Sequence, residues 1–262
     1  MKRFILILFI LISFTGCFSS NKITFPNISK NIVSDKQKNV FFDKLVENNK
    51  NFNNVRVLSD VILIEKGEGF KFRYLFIYDK NLSDKKEFVR IEAFPPETFL
   101  SLHILTQNEN EAMFLDRQQK IAIKTGDIKN IFKEIWKEDI DYKNLMEIIA
   151  GNNNLTKDNV NNYDFYILEN KDYKILQIVS KNKNEYYEFN LKDLSLVTYD
   201  NWKDNGQELI MRIKKSNNAL YVIIPQNELL MNFFVTKKEY DVNVKQDVFN
   251  IKIPKNYKVY KR

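Results

Sequence analysis

Residues 89–105 read VRIEAFPPETFLSLHIL. Val89, Ile91 and Ala93 alternate with Arg90 and Glu92, and Leu102 and Ile104 alternate with Ser101 and His103, the period of a strand with two unlike faces. Pro95, Pro96 and Glu97 break the alternation, and proline gives a sheet no backbone donor. The stretch predicts two antiparallel strands, Glu87–Phe94 and Leu100–Thr106, joined at a corner. That corner also holds Phe99 and Leu100, large apolar groups where a turn is ordinarily polar.

The same reading extends outward. Upstream, Val55–Lys66 and Phe70–Asp79 alternate in the same way; downstream, Ala112–Asp116 and Lys120–Lys124 follow. The connections EKGEG, DKNLSD, TQNENE and DRQQ are short and rich in Gly, Asn and Asp, as antiparallel hairpins require. After a break, eight further strands are expected: Tyr163–Glu169, Tyr173–Ser180, Glu185–Leu191, Leu196–Asn201, Gln207–Lys214, Ala219–Pro225, Leu229–Lys237 and Phe249–Pro254. The break itself is helical. Asp127 is placed to cap DIKNIFKEIWKE, with Ile128, Ile131, Phe132 and Ile135 on one face, and Asp141 to cap DYKNLMEIIAGN, with Gly151 as its left-handed stop. A first helix is expected over Asn39–Asn51. The fold class is therefore mainly β with inserted helices: one large antiparallel sheet, too wide to stay flat, with helices plugging its concavity. Alternation alone leaves open whether that concavity is a filled core or a ligand chamber.

The N-terminus reads MKRFILILFILISFTGC. Two cations precede an apolar run too short to span a bilayer as a helix, the layout of a secretory signal. Cys17 is the only cysteine in 262 residues, directly after the small residues Thr15 and Gly16. Phe-Thr-Gly-Cys resembles a bacterial lipobox, with Phe14 where Leu is usual, and implies a diacylglycerol on Cys17. The expected organisation is a signal peptide over 1–16, a lipidated polar tether over 17–38 and a single domain over 39–262. The absence of Asp directly after the cysteine favours the outer membrane over the inner.

A net charge of +7 raises nucleic acid as a partner. Export and the interspersed signs of charge argue against it. Catalysis finds little to work with. His103 is the only histidine, so an imidazole-built metal site lacks partners, and no Gly-x-Ser-x-Gly elbow exists. Gly67–Gly69 is a hairpin turn, not a phosphate loop. Acidic pairs such as Glu109/Glu111 and Glu138/Asp139 fall in turns and helix ends. No cofactor, metal or enzymatic activity is expected.

The lipobox, the first helix and the meander containing FRYLFIYDKN and VRIEAFPPETFLSLHIL resemble the LolA/LolB lipoprotein-localisation proteins over residues 40–255. The residues that carry the resemblance are Arg90, Ile91, Glu92, Pro95, Leu100, Leu102, Leu115 and Asp116, with Leu145, Ile149 and Gly151 in the second inserted helix, and DVFNIKIPKNYKV near the C-terminus. The family pattern has Leu-Gly where Pro96 and Glu97 stand. The resemblance implies an unclosed β-barrel with a helical lid over an apolar cavity, lined here by Leu75, Ile77, Ile91, Leu102, Ile104, Leu145, Ile148 and Ile149. It implies a membrane-contacting loop at Pro95, Pro96, Phe99 and Leu100, although Phe99 and Leu100 equally fit the start of the next strand. The implied partners are the membrane, acyl chains of lipoproteins or phospholipid, and a periplasmic carrier protein. The implied role is acyl-chain binding in outer-membrane lipoprotein localisation; the alternative is an envelope-stress sensor or interaction module of the same fold.

Overall fold

The computed structural model describes residues 23–262, apart from residues 81, 83–86, 99, 138, 154 and 217. Cys17, the signal peptide and Phe99 lie outside the described residues.

The first meander comprises β1 (Asn54–Glu65), β2 (Glu68–Asp79), β3 (Phe88–Phe94), β4 (His103–Gln107), β5 (Ala112–Asp116) and β6 (Ile121–Thr125). The second comprises β7 (Tyr163–Glu169), β8 (Lys174–Ser180), β9 (Glu185–Asn190), β10 (Leu196–Lys203), β11 (Glu208–Ser216), β12 (Ala219–Ile224) and β13 (Leu229–Tyr240). The two fuse where β1 pairs antiparallel with β13, and β14 (Lys258–Lys261) adds in parallel to β6. The result is one 14-stranded sheet, ordered β14-β6-β5-β4-β3-β2-β1-β13-β12-β11-β10-β9-β8-β7. It is an unclosed barrel with helices, as the alternation and the resemblance predict.

Because β6 and β7 lie near opposite edges, the chain between them must cross the sheet. It does so as α2 (Ile128–Trp136) and α3 (Tyr142–Ala150). Both start as expected: Asp127 accepts from the Lys129 N–H and Asp141 from the Asn144 N–H. Gly151 ends α3 at φ +108°, the left-handed region that costs glycine least. Ile128, Ile131, Phe132, Leu145, Met146, Ile148 and Ile149 bury against the sheet, joined by Phe42 and Leu45 of α1 (Asp35–Glu47). This face is called inner below.

The outer face is covered by two segments that form no strand of their own there, and residues 23–33 pair with β7 only through the Ile32–Tyr166 bridge. Residues 241–257 cross β2–β6. Val244, Val248 and Phe249 pack with Leu75, Ile77 and Phe88, and Ile251, Ile253 and Tyr257 pack with Ile104, Leu115 and Ala122. The strand expected at Phe249–Pro254 is thus not formed. Its alternation is satisfied by lying on an outer face rather than joining an edge, its Asn250 N–H turns back to Asp247, and the pairing strand is Lys258–Lys261. Residues 23–33 do the same at the other half. Phe25 packs on Tyr186 and Trp202, with ring centroids 5.9 and 5.2 Å apart, over Gly206. A Cβ on Gly206 would come 2.6 Å from the Phe25 ring, so the slot requires glycine. The chain then bonds to Gln177 and to β7 before turning into α1. The described part of the polar N-terminal segment therefore lies on the domain, and α1 begins at Asp35 rather than Asn39.

Candidate functional site

Along β2 the inner-face side chains are Phe70, Phe72, Tyr74, Phe76 and Tyr78, each opposite an inner residue of β1. Their burial climbs steadily. Phe70 is 42% exposed, Phe72 and Tyr74 are half-buried, and Phe76 and Tyr78 are closed off. The helices pack on the buried end of β2, and at its other end Phe70 stays exposed. At the Phe70 end the rings form a ladder: Phe70 to Phe72 at 6.4 Å, tilted, then Phe72 to Tyr74 at 6.2 Å and Tyr74 to Phe233 of β13 at 5.9 Å, both edge to face. Such contacts are favourable for the ring quadrupoles. Leu63, Ile91 and Phe114 extend the half-buried apolar band. Burial pushes the Tyr74 hydroxyl up to about 12.

The strand order fixes what else lies at this end. The β1–β2, β3–β4, β5–β6, β10–β11 and β12–β13 turns all fall on the same side of the sheet. The β3–β4 loop holds Pro95, Pro96 and Leu100, the last 71% exposed. Strand β4 begins at His103 rather than Leu100: the Leu102 N–H bonds back to Ala93, and the Thr98 N–H turns to Pro95. Leu100 is therefore a solvent-facing loop residue. The slot for Phe25 is at this end as well, beside the β10–β11 turn.

The cavity residues anticipated from sequence do not share one surface. Ile91, Leu145, Ile148 and Ile149 belong to the inner cluster. Leu75, Ile77 and Ile104 point the other way, into the two clusters under residues 241–257. Leu102 is half-buried just before β4. The ladder residues were legible as FKFRYLFIYD but unassigned, because period-two alternation does not say which face the helices leave bare.

Helix α3 is fastened at both ends by polar groups. At its start, the buried Asn144 amide donates to Asp141, Glu185 and the Tyr199 hydroxyl, and Tyr163 and Tyr187 also donate to Glu185. Burial and the Glu185 charge hold the Tyr163 phenol well above its ordinary range. At its end, Glu147 accepts from Tyr78, Lys80 and Asn152. His103 stacks on Phe114 at 5.8 Å and stands 3.7 Å from Asp116. Among the described residues, no group of three or more His, Cys, Asp or Glu side chains is placed to hold a metal. No described helix is long and apolar enough to cross a membrane.

No protein-family model matches the sequence, and no curated protein matches it. Solved structures do. A putative outer membrane lipoprotein-sorting protein domain from Vibrio parahaemolyticus is 8% identical, with a TM-score of 0.55 over 83% of this chain and 97% of that one. A DUF1329 family protein from Desulfovibrio piger is 11% identical, with a TM-score of 0.53 over 81% and 96%. A LolA superfamily protein from Nitrosomonas europaea is 8% identical, with a TM-score of 0.50 over 82% and 97%. At these identities the likeness is one of fold. The chain has a LolA/LolB-like fold.

Proposed function

We propose that this protein is a non-catalytic envelope lipoprotein, anchored through Cys17 in the outer membrane, that receives acyl chains on the bare end of its inner face during lipoprotein localisation. The observation that supports this most is the aromatic ladder: four rings run from Phe70, 42% exposed, through the half-buried Phe72 and Tyr74 toward the core. An acyl chain gains about 0.8 kcal/mol for each methylene it buries, and ring faces accept it without polar desolvation. Beyond Tyr74 the inner face is filled by α2 and α3, so deeper entry requires α3 to leave Glu185 and Lys80.

The leash fits this reading. Residues 17–22 reach about 20 Å fully extended, and the chain beyond them is docked from Phe25 onward at the ladder end of the sheet. A lipid on Cys17 would hold Phe70, Leu100 and the β3–β4 loop toward the bilayer. Delivery to a carrier or membrane then needs no reaction, only relative affinity.

Native mass spectrometry of the chain with an acylated lipoprotein or phospholipid tests the proposal. A retained acyl-bearing species is expected, lost in Phe72→Glu and kept in Phe234→Glu, whose side chain lies on the outer face one residue from Phe233. No acyl-bearing species under any condition, or equal loss in both variants, would overturn it.

A further inference from the structure

The sheet has two edges, and the chain treats them differently. At β7 the edge is taken by residues 31–33: the Val33 N–H donates to the Phe165 carbonyl, the Ile167 N–H donates to the Asn31 carbonyl, and Ile32 bridges Tyr166. At β14 no further strand follows. The Lys258 N–H donates to Lys120 and the Arg262 N–H to Lys124, with Tyr260 in register with Ile123 between them. In a parallel ladder a residue turns its N–H and its C=O to the same neighbour, and alternate residues do so. Val259 and Lys261 therefore turn theirs away from β6, and among the described residues nothing bonds to them. The edge is open to solvent as well: Lys258, Val259 and Lys261 are exposed, Val259 at 43%.

The charge around this edge has one sign. Residues 248–262 hold Lys252, Lys255, Lys258, Lys261 and Arg262 and no acidic residue. Arg262 reaches Glu134 of α2 at 3.7 Å, and the Lys258 ammonium stands 4.9 Å from the centre of the Tyr260 ring. Among the described residues no carboxylate lies within ion-pair distance of Lys258 or Lys261.

We propose that the outward edge of β14 docks an extended acidic segment of another protein, which adds there as one more strand. The backbone sets the shape of the occupant. Val259 and Lys261 present their N–H and C=O groups in the pattern that an incoming strand completes. Charge sets its chemistry. Two copies of this chain paired antiparallel at this edge would bring Lys258 of one opposite Lys261 of the other, and like charges directly opposite are destabilising. Lysines on an edge bar self-pairing for this reason; the same lysines attract a strand carrying Asp or Glu. The site shares no residue with the ladder and does not rest on acyl binding there.

The test is fluorescence anisotropy of a labelled, end-capped peptide of sequence Thr-Glu-Val-Glu-Thr-Glu-Val titrated with the full chain, alongside amide hydrogen exchange. Saturable binding is expected, with slowed exchange at the Val259 and Lys261 amides. Val259→Pro removes an outward donor and no bond to β6, an edge position where proline is tolerated, so the variant should fold and bind about tenfold more weakly. Binding should be lost in Lys258→Glu/Lys261→Glu and unchanged in Val259→Ala and Phe72→Glu. The same peptide with Lys for Glu should not bind. No saturable binding by the parent would overturn the proposal. So would equal binding by Val259→Pro, or by the peptide N-methylated at every residue, since charge alone would then account for it. Slowed exchange of the same two amides when the chain alone is concentrated would assign the edge to a second copy and overturn it too.

Discussion

The two faces of β2 both carry apolar side chains, aromatic rings on the inner face and Leu75 and Ile77 on the outer, and these meet opposite fates. On the outer face, Leu75 and Ile77 are sealed by Val244, Val248 and Phe249 from residues that form no strand there. On the inner face, Tyr78 and Phe76 are buried while Phe72 and Phe70 emerge step by step into solvent. The outer cover runs across β2–β6 and leaves only core. The inner cover is the 13-residue α1 and two nine-residue helices, and it leaves Phe70 exposed. A sheet that is apolar on both sides becomes a binding surface only where its cover runs out.

Substitutions on the two faces should separate stability from binding. The largest effect is expected for Phe249→Ala. This residue is fully buried against Phe88 at 5.2 Å, and its truncation should cost about 3–5 kcal/mol in urea denaturation. Ile77→Ala, also outer and 3% exposed, should cost about 2–4 kcal/mol with acyl retention unchanged in the folded fraction. Phe70→Ala reverses the pattern: a ring 42% exposed should cost under about 1 kcal/mol yet weaken acyl retention. Equal stability losses at Ile77 and Phe70 would show that the ladder end is not bare.

Asn144→Ala probes the fastening of the inner cover. It removes the buried amide whose two N–H groups are shared among Asp141, Glu185 and the Tyr199 hydroxyl and should cost about 1–3 kcal/mol, with faster hydrogen exchange in α3 than in β2. The smallest effect is a pH signature of Lys238. Its folded value lies at about 8, below the ordinary 10.5. Below pH 8 the ammonium is charged whether folded or not, and the penalty is fully present. Between about 8 and 10.5 the folded protein has shed a proton the unfolded chain still holds, so stability rises with pH. The Tm difference between Lys238→Met and the parent should therefore shrink across that window; a constant difference would mean that burial and the neighbouring lysines do not depress Lys238.

Much of the fold was legible from local rules. Hairpin chemistry and alternation placed the strands of both meanders, Asp127 and Asp141 capped the two inserted helices, and Gly151 stopped the second. These features depend on neighbours within a few residues, and the sequence states them directly. The misreadings share a cause. Residues 249–254 alternate like a strand but satisfy that alternation by packing on a face, and Leu100 continues an apolar pattern while its backbone is still turning.

By itself, then, the sequence determined the elements, their order, the wide antiparallel sheet with its helical insert and the candidate anchor at Cys17. Only the tertiary structure decided which face the helices occupy, that residues 241–257 pack on the other, and that Phe25 docks at the ladder end. It also brought Lys50 and Lys238, distant in the chain, to Tyr240 at the end of α3. The physical reason is that apolar burial has no direction: alternation sorts side chains into two faces, while strand register, crossover length and the docking of the termini assign each face its cover.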